Sequence, residues 1–229
     1  MILDLNEPAK YRDFYTPSTR RYIDQMPLLI SGKDVSGKVI DIKRNPIQVA
    51  EIYERRVNSS KPDWWNYGFF TGDGVVVPAK EEYTDGRFKI RRNSESLRGI
   101  NKETKLIMGG IPHESYSEVS GVEFMIKDVI VNRAMTRDEA IENPVLLELL
   151  GGDNSFMKKV IDKTYFEGKK QFNYDKMMGL FLPTELNQCH ERAWYVDGLG
   201  DRSGVNGRSG FDDGDGCLLG IAPEAPKSE

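Results

Sequence analysis

Cysteine and histidine are scarce in this chain of 229 residues, which holds only Cys189, Cys217, His113 and His190. A structural zinc site would need all four, and neither C-x2-C nor H-x3-H spacing is present, so zinc is disfavoured. Two cysteines make at most one disulfide, which excludes a disulfide-built scaffold. Long apolar runs are also missing, since none approaches the roughly 18 residues that a membrane-spanning helix needs. The opening residues have neither the basic end nor the apolar stretch of a secretory signal. The expectation is a cytoplasmic protein with reduced thiols and no membrane association.

A basic excess is lacking too. Lys and Arg number 32 against 36 Asp and Glu, for a net charge of -4. From Ala193 onward there are three basic and seven acidic residues, so residues 1–192 carry 29 of each sign. Phosphate-seeking proteins are predominantly basic, so nucleic acid is disfavoured as a partner. What the chain does have is enough apolar and aromatic material for a core: 38% hydrophobic and 10% aromatic residues. That rules out wholesale disorder.

Along the chain, residues 1–26 are rich in Tyr, Arg and Asp and read as an N-terminal arm lying on the core. Residues 27–131 read as β-rich. Strands are expected at 28–31 and 38–43 around a turn at Gly32, then at 75–77, 87–91, 105–108 and 122–131. One helix interrupts them at 46–57, with Asn45 as its cap and Pro46 at its first position. The texture changes at Thr136, where a hydroxyl is followed three residues later by Glu139, a capping box. Asn143-Pro144 marks a second helix start, ending at Gly151-Gly152, and Asp153 caps a third helix. In that helix Met157, Val160, Ile161, Thr164, Tyr165, Gly168 and Phe172 form one stripe. Gly168 inside the stripe suggests a close helix–sheet contact. Closing strands are expected within 176–222, at 177–182, 192–196 and 217–222, and residues 223–229 read as a loose tail. The fold class is therefore α+β: one domain over 27–222, mainly antiparallel sheet, with a helical segment at about 136–172 packed on it.

Familiar chemical motifs fail on inspection. Residues 32–39 nearly spell a phosphate-binding loop, but Val39 stands where a hydroxyl should hold magnesium, and a strand pattern follows instead of a helix. Gly198-Leu199-Gly200 begins like a dinucleotide fingerprint, yet Ser203 takes the third glycine's place. No G-x-S-x-G elbow appears. A catalytic Cys189–His113 pair rests on nothing beyond the presence of both residues.

Two surfaces remain as candidates. Arg87, Lys89 and Arg91 alternate with Phe88 and Ile90, which places three cations on one strand face. Beside them, Trp64 and Trp65 lie in the densest aromatic stretch. In an extended segment one ring faces the core and the other is exposed, ready to bind a partner. The alternative is a solvated outer strand face over buried tryptophans. Residues 197–216 hold seven glycines and five aspartates: Asp197, Asp201, Asp212, Asp213 and Asp215. Carboxylates on a flexible backbone suit calcium or magnesium, although the spacing is not that of an EF-hand, and a mobile acidic loop neutralised by Arg202 and Arg208 is the plain alternative. Two functions stay open. One is a non-catalytic binding or interaction module for a protein or small ligand. The other is a divalent-metal-dependent hydrolase using this loop, with His190 or His113 as proton carrier.

Overall fold

A computed structural model describes residues 21–33, 36, 38–39, 44–82, 85–212 and 216–221. Most of the expected arm, the tail, and Asp213 and Asp215 lie outside them. The first element is a helix, α1 (Tyr22–Ser31), where a strand is expected at 28–31. Tyr22, Ile23, Met26 and Leu29 recur at helical spacing and are all buried. That stripe outweighs Pro27, which sits inside the helix, and Gly32 ends it in the left-handed region at φ 67°.

Asn45–Pro46 form a short strand, β1, instead of a helix start. The helix α2 (Val49–Asn58) begins three residues later behind a Gln48–Glu51 capping box. Buried Asp73 adds to this cap: its carboxylate accepts from the Val49 and Asn93 N–H groups, each at 2.8 Å. A single helical turn, α3 (Asp63–Asn66), carries both tryptophans into the core. Next come β2 (Phe69–Val77), β3 (Arg87–Arg91), the short α4 (Glu95–Arg98), β4 (Ile111–Pro112) and β5 (Val122–Met125). Residues 105–108 form only an isolated bridge between Ile107 and Gly110, and the strand expected to reach 131 turns into a 3-10 helix at Ile126–Asp128.

After β6 (Arg133–Met135) the helices α5 (Arg137–Ile141), α6 (Pro144–Leu149) and α7 (Asn154–Phe172) start at the caps their sequence announces: Thr136, Asn143 and Asp153. The stripe of α7 is buried from Met157 to Gly168, while Phe172 is exposed. A Cβ on Gly168 would collide with the Met177 sulfur, so this glycine does mark a close helix–strand approach. The chain closes with β7 (Met177–Phe181), β8 (His190–Val196), β9 (Val205–Asn206), β10 (Cys217–Leu218) and β11 (Gly220–Ile221).

The main sheet runs β5-β3-β2-β8-β9-β7-β6, with β4 added to β8 and β10 to β2, while β1 pairs with β11 apart from it. Seven of these pairings are antiparallel; β10–β2 and β7–β9 are parallel. The class is α+β. Strands β8 and β10 do not pair with each other; both pair with β2. Alternation along β8 divides the interior. Trp194 and Val196 join the core under α2, α3, α6 and α7, and Ala193 and Tyr195 join a smaller one with α1, Phe70 and Phe211.

Candidate functional site

The middle of the sheet buries charge. On β8, His190, Glu191 and Arg192 follow one another and all three are buried. Glu191 points to the face opposite Trp194. There it passes over Gly74 of β2, where any Cβ would collide with its carboxylate. The glycine is what lets this side chain cross β2 and reach β3. Arg91 Nη1 donates to Glu191 Oε2 at 2.6 Å and to Ser96 Oγ at 2.9 Å. His113 follows β4, and its backbone N–H donates to the Cys189 carbonyl, which holds it alongside the β8 strand. Its Nε2 lies 3.0 Å from the same Glu191 oxygen. A carboxylate there accepts, so the proton of His113 belongs on Nε2 and Nδ1 is left for other partners. Among the described residues, Glu191 Oε1 has no hydrogen-bond partner.

Glu191 is fully enclosed, whereas the Arg91 and His113 side chains keep 13% and 17% of their exposure. They look outward into a cleft of about 350 Å³ that also holds Ser96, Ser115, Glu118 and Ser120. A second cleft of about 440 Å³ shares Arg91 and Ser120 and extends past Asn93 and Glu95 toward Glu148. Polar donors and acceptors thus converge on concave surface, over a buried ion pair that fixes two of them. His190 lies on the opposite side of the strand. Burial, with Arg192 nearby, lowers its pKa to about 4, so it is neutral, and its Nε2 has no partner among the described residues. The Cys189 thiol is pushed up to about 12 by burial, which leaves no thiolate for a catalytic pair with His113.

The cationic strand face is not solvated. Lys89 is buried and donates to the Tyr116 and Val119 carbonyls, both at 2.8 Å, with its ammonium over the Tyr116 ring. Arg87 pairs with Asp85. The three cations are separated in role, and Arg91 is the one that lines these two clefts. Neither Trp64 nor Trp65 is exposed, at 1% and 7%. Their segment is a helical turn and not a strand, so strand alternation does not apply. Arg55 and the fully buried Arg56 lie over these rings instead, and Arg56 also binds the Trp64, Tyr67 and Asp197 carbonyls and Ser203 Oγ.

Residues 197–212 form an ordered part of the structure, with a 3-10 turn at Leu199–Asp201 and β9 docked between β7 and β8. Asp197 is partly buried, and burial followed by the charge of Asp201 raises its pKa to about 7 against the pull of Arg56. Asp201 is exposed; Asp212 stands beside Gly109 and within electrostatic reach of Arg21. Among the described residues, no three or more His, Cys, Asp or Glu side chains gather as a metal ion would require.

Sequence reasoning named Arg91 and His113 but missed Glu191, which joins them. The signals were present: three ionisable residues opening an otherwise apolar strand, and Gly72 and Gly74 inside the apolar run of β2.

No family model and no curated protein matches the chain. The structure is similar to a solved one described as "Accommodation of massive sequence variation in Nanoarchaeota by the C-type lectin fold". The TM-score is 0.52 at 12% identity, over 76% of this chain and 85% of that one. At that identity the likeness is one of fold.

Proposed function

We propose that this chain is a non-catalytic binding module and that its recognition surface is the pair of clefts meeting at Arg91. The observation that carries this reading is the enclosed Glu191, which holds Arg91 and His113 in fixed orientation at the cleft floor. A preorganised polar floor lowers the ordering cost of binding. Serine hydroxyls and guanidinium N–H groups around it suit a small ligand rich in hydroxyl or carboxylate oxygens, or a protein segment that presents them. The fold likeness supports the reading in one respect. A scaffold described as accommodating massive sequence variation is one on which a site can be altered without loss of the fold. Two buried free thiols, Cys189 and Cys217, agree with a reducing, cytoplasmic setting.

Ligand-observed NMR against a panel of sugars, dicarboxylates and phosphates tests this. At least one class should bind the wild type and be lost on Ser120→Trp, which fills both clefts from their shared rim. Hits that survive Ser120→Trp, or turnover of any hit, would count against a binding module at this site.

A further inference from the structure

A second surface lies on α2 and α7, which hold no part of the Arg91 clefts. Helix α7 buries its stripe from Met157 to Gly168. At 3.6 residues per turn, Phe166 lies roughly 170° away from the middle of that stripe, at the centre of the outer face. It is 61% exposed, a large apolar ring where a charged side chain is the norm. Phe166 borders a groove of about 680 Å³ between α7 and the end of α2, with Val57 on the far side and Lys158, Lys159 and Lys163 along the rim. Lys163 Nζ pairs with Glu167 Oε1 at 2.9 Å and sits 5.8 Å from the Phe166 ring centre, and Lys159 Nζ donates to Asn58 Oδ1 at 3.0 Å, so two of the ammoniums are held at the groove edge. The acid on the rim, Asp162, is engaged by Arg137. A cationic rim around an apolar seat therefore stands out on a chain whose net charge is -4.

We infer that this groove docks an acidic segment of a partner protein, with an apolar side chain of that segment seated between Val57 and Phe166. Charge complementarity selects the sign of the occupant: with Lys163 offset by Glu167 and Asp162 by Arg137, Lys158 and Lys159 leave the rim net positive, which repels a basic segment and attracts a run of glutamates or aspartates. The small apolar area selects its anchor. A helix that lies on a bilayer presents a broad convex apolar face, whereas a single ring beside a groove fits one anchoring side chain.

The test uses the full chain and a fluorescein-labelled peptide of glutamates with two leucines at helical spacing, read by anisotropy. The wild type should bind it, more weakly as salt rises. Phe166→Ser and the double substitution Lys158→Glu/Lys163→Glu should each weaken binding about tenfold, a difference of about 1.4 kcal/mol. All three positions lie outside the core, and unchanged circular dichroism will show that the variants fold. Equal binding by wild type and both variants overturns the inference. So does preferential binding to anionic phosphatidylserine vesicles, which would give the face to a membrane. Self-association abolished by Phe166→Ser would give it to a second copy, and overturns the inference as well.

Discussion

The helical segment α5–α7 and the strand β8 are both held in the interior, by opposite means. The helices sort their residues by periodicity: Val145, Leu146, Leu149, Val160 and Ile161 go inward, and the charged residues stay wet. Strand β8 buries His190, Glu191 and Arg192 outright. Glu191 takes partners from distant elements, Arg91 and His113, and His190 takes the nearby Gln188 carbonyl. Glu191 Oε1 and His190 Nε2 find no partner among the described residues. The helical segment is thus stabilised mainly by apolar area. Around Glu191 the protein depends on a few polar contacts whose loss strands a charge. A site built the second way costs stability and gains fixed geometry, which is what a recognition surface uses.

The contrast is broken most directly at Glu191. Glu191→Ala leaves the Arg91 guanidinium and His113 without their shared acceptor, and should destabilise the fold by about 3–5 kcal/mol. Asp175→Ala, which removes the exposed partner of Lys169 beyond α7, should cost no more than about 0.5 kcal/mol. Urea unfolding of both variants measures the difference. Similar costs would mean that the buried pair is no more important to folding than a surface one.

The next largest effect has the opposite sign. Asp197 has its folded pKa raised from 3.8 to about 7, so the folded state holds its proton more tightly than the unfolded chain does. Its contribution to stability is full below pH 3.8 and is lost as pH rises toward 7. Asp197→Asn should then stabilise the protein by about 2 kcal/mol above neutrality, after a discount for partial exposure, and flatten the decline across that window. His190 works the other way. Its folded pKa is lowered from 6.5 to about 4, so its contribution is present above pH 6.5 and is lost on acidification. Urea midpoints across this range separate the two. A variant that tracks the wild type at every pH would remove Asp197 from the account.

How much of this could be read beforehand follows the same division. Thr136, Asn143 and Asp153 each act on backbone groups two or three residues away, so the caps were legible and the three helices begin where expected. Strands β3 and β7 were legible from their short apolar runs, as were the last three residues of β2 and the last five of β8. Failures came where distant partners decide. The segment at 28–31 reads as a strand alone, but Tyr22 and Met26 upstream make it the last turns of a helix packed on Phe70 and Phe211. Trp64 and Trp65 read as extended because a one-turn helix leaves no periodicity to detect. Glu191 was missed because its partners Arg91 and His113 lie 100 and 78 residues away.

Gly168 brings the two regions together, since it lets α7 approach β7. Alanine is the better helix former by about 1 kcal/mol. Here its Cβ would displace the Met177 side chain, which is fully buried and has little room to move. Overpacking costs about 1–3 kcal/mol, so Gly168→Ala should be net destabilising by up to about 2 kcal/mol, against its propensity. A gain in melting temperature would show that Met177 relaxes freely and that the helix–sheet contact is looser than its geometry.

The smallest effect isolates the helical region's own logic. Asp153 Oδ1 accepts from the Ser155 and Phe156 N–H groups, at 2.8 and 3.2 Å, and its carboxylate faces the positive end of a 19-residue helix. Asp153 is exposed, so its substitution disturbs no core packing. Asp153→Ala should cost about 1 kcal/mol, the ordinary value of a cap, and should speed hydrogen exchange at Ser155 and Phe156. Asp153→Asn keeps the acceptor and gives up only the charge, so it should retain most of the stability. Local exchange rates are the sharper readout, because fraying of the first turn precedes any global opening. Equal loss in both variants would assign the effect to the charge at the helix end, and no change in either would mean that α7 is held by its buried stripe alone.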